Sequence, residues 1–71
     1  MVLLAFFKKI NENVHQFSYS IMKSKLLENC VIYLNIHQNK VYNSANQEIK
    51  FDQLEESVRD TIKKEYPHNK F

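Results

Sequence analysis

The sequence predicts an α+β fold: a long N-terminal helix, a three-stranded antiparallel β-meander and a C-terminal helix. Three observations lead to this prediction. Large apolar residues recur at intervals of three or four near the N-terminus, apolar and polar residues alternate in the middle of the chain, and an amphipathic segment with helix-capping residues follows. With 71 residues, the chain has room for a single small domain, 1–71.

The first predicted element is a helix over about residues 2–23. Seven large apolar side chains fall within a stripe roughly 100° wide on a helix. They are Leu3, Phe6, Phe7, Ile10, Val14, Phe17 and Ile21. Against a helix, Phe17, Tyr19 and Ile21 also alternate as they would in a strand. The alternative is therefore a short helix over 2–11 followed by a strand over 15–22.

Three strands are predicted over about 30–37, 40–43 and 47–51. In the first of them, Ile32, Leu34 and Ile36 point to one face. Val31, Tyr33 and Asn35 point to the other. Because the chain has no glycine, asparagine is the residue best able to take the left-handed backbone of a turn, so we expect Asn39 and Asn46 to do so.

These turns define a register and an inner face. The register pairs His37 with Lys40, Ile36 with Val41, and Val41 with Ile49. One face of the sheet then carries Ile32, Leu34, Ile36, Val41, Ile49 and Phe51. Both helices are expected to cover this face.

The last predicted element is a helix over about 53–66. Asp52 is a good N-cap residue, Glu55 follows it by three positions, and Pro67 comes after the last turn. Its apolar stripe consists of Leu54, Val58, Ile62 and Tyr66.

Composition argues against most kinds of chemistry. The net charge of +2 is small, and the only cysteine, Cys30, has no closely spaced cysteine or histidine partner of the kind that zinc sites use. Phosphate-cradling loops need glycine, which is absent. We therefore expect no catalytic residues, no metal, no cofactor and no enzymatic activity.

The N-terminal helix suggests how the protein works. A helix about 31 Å long is too long for three short strands and a second helix to cover, so part of its stripe is left for a partner. We expect a small non-enzymatic protein–protein interaction module that forms a homodimer through this helix, with the outer sheet face as a second surface. The candidate contact residues are Leu3, Phe7, Ile10, Val14, Phe17, Tyr33, Asn35 and Tyr42.

Other features concern partner and origin. The alternative function is nucleic-acid binding, with bases stacking on Tyr33 and Tyr42 beside scattered lysines. Nine lysines against one arginine, with eight asparagines, suggest a low-GC bacterium, a phage or another mobile element, and hence a regulator or inhibitor. The first apolar run is short and its lysines follow it, which predicts a cytoplasmic protein without a transmembrane segment.

Overall fold

A five-stranded antiparallel sheet and one α-helix make up residues 2–71, which are the residues that the computed structural model describes. The strands are β1 (Val2–Lys9), β2 (Val14–Lys23), β3 (Leu26–Asn35), β4 (Lys40–Asn43) and β5 (Glu48–Ile49), and the helix is α1 (Glu56–Glu65). The strands lie side by side in chain order, β1-β2-β3-β4-β5. A short 3₁₀ helix, Phe51–Gln53, connects the sheet to α1.

The predicted helix over residues 2–23 is wrong, and with it the α+β fold with two helices. This segment is the β1–β2 hairpin, and the protein is mostly β. Of the alternative, the strand over 15–22 lies within β2, whereas the helix over 2–11 is also wrong. Phe7 and Phe17, expected on one helix stripe, are opposite each other on paired strands, with their rings stacked 4.2 Å apart.

The turn between β1 and β2 explains why the chain reverses here. The side-chain Oδ1 of Asn11 accepts hydrogen bonds from the backbone N–H groups of Asn13 (2.8 Å) and Val14 (2.9 Å). An asparagine that bonds the backbone two residues ahead favours a turn over a helix. Aromatic and β-branched residues on both sides of this turn lose less rotamer freedom in strands than in a helix.

The left-handed conformation predicted for Asn39 and Asn46 is confirmed, because both residues have positive φ, 57° and 62°. A further left-handed turn joins β2 to β3, where Ser24 (φ 50°) and Lys25 (φ 70°) form a two-residue loop. Two consecutive positive φ values are typical of a type I′ hairpin turn, for which Asn-Gly is the usual sequence. The sequence Ser24-Lys25 is not typical of this turn, so the turn was not predicted.

The register is right for one pair of strands and wrong for another. Val41 is opposite Ile49, as predicted. Between β3 and β4, however, Val41 is opposite Leu34 instead of Ile36, and Lys40 is opposite Asn35 instead of His37. The pairing is displaced by two residues because residues 36–39 form a longer loop. An even displacement leaves every side chain on its predicted face.

Contacts from the C-terminal tail hold that loop. Asn69 donates hydrogen bonds from Nδ2 to the carbonyl oxygen of Ile36 (2.7 Å) and to Oδ1 of Asn39 (2.8 Å). The same Oδ1 accepts from the backbone N–H of Lys70 at 3.1 Å. No local sequence pattern announces these contacts, since the partners are about thirty residues apart.

The helix starts later than predicted. Asp52 lies in the 3₁₀ helix, and Glu55 is the N-cap residue of α1. The last strand, β5, is also shorter than the strand predicted over 47–51, because the chain enters the 3₁₀ helix at Phe51.

The core lies between α1 and one face of the sheet, which we call the inner face. Its buried apolar residues are Phe17, Tyr19, Ile21, Ile32, Leu34, Val41, Leu54, Val58 and Ile62. The apolar stripe predicted for the C-terminal helix packs as expected. Val58 and Ile62 are fully buried, and Tyr66 is half-buried against the core residues. The opposite side of the sheet, the outer face, is not covered by α1.

Candidate functional site

A shallow groove runs along β2 on the outer face. The strand register places Phe6 opposite Ser18 and Ser18 opposite Val31, all on this face. In the same way, Leu4 is opposite Ser20, which is opposite Asn29. The small serine side chains form a floor between the larger side chains of β1 and β3. The resulting concavity has a volume of about 240 Å³, and we call it the outer-face groove.

The walls of the outer-face groove are apolar and exposed. Phe6 is 64% exposed, Leu4 57% and Val31 36%. Next to them on the same face, Leu27 is opposite Met22, and these side chains are 57% and 45% exposed. A contiguous exposed apolar patch is typical of an interaction surface, whereas single exposed apolar residues are ordinary.

The buried serine on the floor of the groove is already hydrogen-bonded within the chain. Ser20 is only 7% exposed, and its Oγ donates to Oδ1 of Asn29 at 2.6 Å. Because this buried hydroxyl has its own partner, a bound molecule gains mainly from covering the apolar walls.

A second concavity of about 470 Å³ continues the outer face toward β4. We call it the tyrosine concavity. It is lined by Val14, Tyr33, Asn35, Tyr42, Asn43, Ser44 and Asn46. Tyr33 and Tyr42 are directly opposite each other on β3 and β4. Gln16 donates from Nε2 to the Tyr33 hydroxyl at 3.3 Å, which helps to hold that ring in place.

Four of the predicted contact residues therefore meet in one place. Val14, Tyr33, Asn35 and Tyr42 all line the tyrosine concavity. Alternation along the strand correctly placed the two tyrosines on the outer face. Val14 joins them because β2 lies beside β3, a pairing that was not predicted.

The remaining predicted contact residues do not form one surface. The prediction that they form a partner site along an N-terminal helix is therefore wrong. Phe17 is fully buried, and Phe7 packs between it and Tyr66, whose ring meets Phe7 edge-on at 5.5 Å. These are core residues. Leu3 and Ile10 are 45% and 49% exposed, but Leu3 lies at the start of β1 and Ile10 directly follows its last residue.

The groove walls Leu4, Phe6 and Val31 were not among the predicted contact residues. Val31 was expected on the outer face, whereas Phe6 was expected on the N-terminal helix stripe. A signal for them was present: in a strand, Leu4 and Phe6 share the face opposite to that of Phe7. Reading residues 2–9 with a period of two would have found this half of the groove.

Two lysines form ion pairs with glutamates, and one of these pairs lies beside the tyrosine concavity. Lys40, which neighbours Tyr42 on β4, has its Nζ 3.8 Å from Oε1 of Glu48. Another lysine, Lys23, is 3.2 Å from Glu55, and this hydrogen bond raises the pKa of Lys23. Of the scattered lysines that the nucleic-acid alternative invokes, Lys40 is therefore paired with a carboxylate beside the tyrosine rings.

The inner face holds two phenols whose ionisation is suppressed. Burial raises the pKa of Tyr19 to about 12, with a further contribution from Cys30, which is opposite it on β3. Burial also raises the pKa of Tyr66, whose hydroxyl lies 2.8 Å from Nδ1 of His15. Both phenols are neutral near pH 7, and their positions in the core fit a structural role.

Within residues 2–71, no three histidine, cysteine or acidic side chains converge in a way that could hold a metal ion. In the same part of the chain, α1 is too short to cross a lipid bilayer, and no other helix is long and apolar enough to do so. A search for similar proteins found no match to a family model, to a curated protein or to a solved structure.

Proposed function

We propose that the protein is a small non-enzymatic interaction module that binds a protein partner on the outer face of its sheet. The observation that carries this proposal is the apolar outer-face groove, where Leu4, Phe6 and Val31 remain exposed while the inner face is covered by α1. Covering such side chains is the main source of free energy in protein association.

The two concavities together resemble the layout of a protein interface. The groove supplies an apolar centre, and the adjoining tyrosine concavity supplies aromatic rings with hydroxyl groups and amide side chains at their edge. Interfaces commonly combine an apolar core with a polar rim, and tyrosine is among the side chains that contribute most to binding energy. A module of this kind acts by occupying a surface of its partner, as a regulator or inhibitor does.

Nucleic acid is a less well supported partner. Single-stranded nucleic acid needs a basic groove along its backbone as well as stacking rings. Lys40 is paired with Glu48 beside the rings, and the net charge is only +2.

The proposal can be tested by affinity capture with quantitative mass spectrometry, using extract of the source cell or its host. Three baits are compared: the wild type, the double variant Phe6→Ser with Val31→Ser, and a control. The control, Glu56→Ser with Lys64→Ser, changes two exposed residues of α1 and keeps the net charge. Circular dichroism verifies that each bait is folded.

We expect the groove variant to capture about tenfold less partner than the wild type, or less still. The control should capture as much as the wild type. Equal capture by all three baits would contradict the proposal, and so would the absence of any partner above background. Salt-sensitive binding of an oligonucleotide, with no protein captured, would favour the nucleic-acid alternative.

A further inference from the structure

The free edge of β1 is a separate feature of the sheet. β1 pairs with β2 on one side, and among residues 2–71 no strand pairs with its other side. The opposite edge of the sheet is β5, which has only two residues, Glu48 and Ile49. The sheet therefore has one long open edge and one very short one.

The hydrogen-bond pattern shows which backbone groups this edge presents. The N–H of Ile10 donates to the carbonyl of Val14 at 2.9 Å, so Ile10 and Val14 form a hydrogen-bonded pair. In an antiparallel ladder such pairs alternate with non-hydrogen-bonded ones. The pairing is irregular only between Val2 and Leu4. Beyond it, the backbone groups of residues 5, 7 and 9 point away from β2, toward the free edge.

The middle of this edge lacks the features that keep strands from pairing, because the two lysines and the irregularity of β1 lie at its ends. The segment from Leu4 to Phe7 has no charge and no proline, and its only irregularity lies before it. Leu4, Ala5 and Phe6 are exposed, so another strand can reach the backbone. Natural proteins usually protect a long open edge with lysine, proline or a bulge in its middle.

We propose that the edge of β1 pairs with the β1 edge of a second copy of this chain, antiparallel, about a two-fold axis at Phe6. This interaction is made by the backbone edge of β1 and shares only the Leu4 and Phe6 side chains with the groove, so it goes beyond the proposed function. Its result is one continuous sheet across both chains.

Charge selects this orientation. Lys8 and Lys9 lie at one end of β1, and a parallel arrangement would bring both pairs of lysines together. In the antiparallel arrangement about Phe6, Lys8 is opposite Leu4 of the second copy. Its alkyl chain can cover that leucine while the ammonium group stays in water. The backbone groups of Ala5 then meet those of Phe7, as the alternation requires.

The other edge explains why pairing stops at two chains. Once both β1 edges are used, each end of the joined sheet is β5, which is too short to continue it. A closed two-fold pair results. Edge pairing of five residues from each chain, 4–8, with the rings of Phe6 side by side, covers on the order of 1,000 Å² in total, so we expect a weak, concentration-dependent dimer.

Cysteine cross-linking tests both the pairing and its register. Cys30 is first replaced by serine, and Phe6→Cys is then compared with Leu4→Cys. The two positions lie on the same strand and face and have similar exposure, 64% and 57%. At the two-fold axis, the Cα atoms of position 6 are about 4.5 Å apart, within the range of a disulfide. Those of position 4 are displaced by four residues, about 13 Å.

We expect Phe6→Cys to form the disulfide-linked dimer at least about tenfold faster than Leu4→Cys in the same redox buffer. Sedimentation of the wild type should show a dimer fraction that increases as the protein concentration is raised to about 100 µM. A wild type that stays monomeric would overturn the proposal. Equal cross-linking at both positions would also overturn it, because that outcome indicates contact between outer faces. Only purified protein is used, so this result is independent of partner capture.

Discussion

Phe17 and Phe6 lie on neighbouring strands of one sheet, yet Phe17 is fully buried and Phe6 is 64% exposed. Phe17 points to the inner face, where Val58 and Ile62 of α1 complete the core. Phe6 points to the outer face, where its neighbour on β2 is Ser18. The comparison shows that apolar character alone does not determine burial in this protein: what matters is which face the single helix covers.

A sheet with two apolar faces needs a covering layer on each. Here, α1 provides one layer with ten residues. On the outer face, the serines on β2 reduce the apolar area but leave the walls formed by Leu4 and Val31. The outer face is therefore the part of the described chain with most to gain from a partner.

The difference between the two faces is tested most directly by removing the ring of Phe17 and the ring of Phe6 in separate variants. We expect Phe17→Ala to lower the free energy of unfolding by about 3–5 kcal/mol, because it opens a cavity in the core. Phe6→Ala should change it by no more than about 0.5 kcal/mol. Urea denaturation at low micromolar concentration, where a weak dimer is dissociated, measures both. A loss at Phe6 as large as that at Phe17 would show that the outer face is covered within a single chain.

Alkaline pH tests the inner face alone. The pKa of Tyr19 is about 12 in the folded protein, because burial disfavours the phenolate, and near 10 when unfolded. The folded state keeps its proton to higher pH, so this stabilisation is complete below about pH 10 and is lost as the pH rises toward 12. We expect a loss of about 2 kcal/mol from Tyr19 across this window.

The measurement is denaturation at a series of pH values for the wild type and for Tyr19→Phe. The variant should lose less stability between about pH 10 and 12, with a remaining contribution from Tyr66, whose pKa is also raised. Identical pH dependence in both proteins would show that Tyr19 is more accessible to water than its packing indicates.

Turn substitutions change the stability of the whole sheet and not of one face. They therefore provide a reference for the effects of substitutions on the inner and outer faces. Lys25 has φ 70° in the β2–β3 turn, a conformation that favours glycine. We expect Lys25→Gly to stabilise the fold by up to about 1 kcal/mol. Asn46→Gly should be neutral or slightly stabilising, whereas Asn46→Val should cost about 1 kcal/mol. If Asn46→Val melts at the wild-type temperature, the β4–β5 turn is not formed as described.

The smallest effect is expected at the tyrosine concavity. Because Tyr33 and Tyr42 form one cross-strand pair on the outer face, Tyr33→Ser combined with Tyr42→Ser should cost about 0.5 kcal/mol. The same variant should lose partner capture if the concavity belongs to the binding surface. Equal loss of stability and capture would show that the two rings are structural, and would limit the proposed site to the groove.

Local rules predicted much of the second half of the chain. Asn39 and Asn46 adopt the predicted left-handed conformation, and Val41 is opposite Ile49, because turn chemistry and the period of two are properties of a few neighbouring residues. The same alternation placed Tyr33, Asn35 and Tyr42 on the outer face. The β3–β4 loop differed: it is held by a hydrogen bond from the Gln38 N–H to Oδ1 of Asn35 and by the distant hydrogen bonds from Asn69, which local rules do not reveal.

The N-terminal third shows what sequence alone left open. Its apolar spacing fits one helix stripe, and it fits two strands equally well once the chain reverses at Asn11. Only the tertiary structure decides between them, because β2 is stabilised by pairing with β1 on one side and β3 on the other. An isolated strand has no partners for its backbone groups, whereas a helix satisfies its own. The sequence by itself determined the left-handed residues Asn39 and Asn46 and the alternating faces of the strands that follow Cys30. The pairing of distant strands determined the fold of residues 2–23, the groove at Phe6 and the open edge of β1.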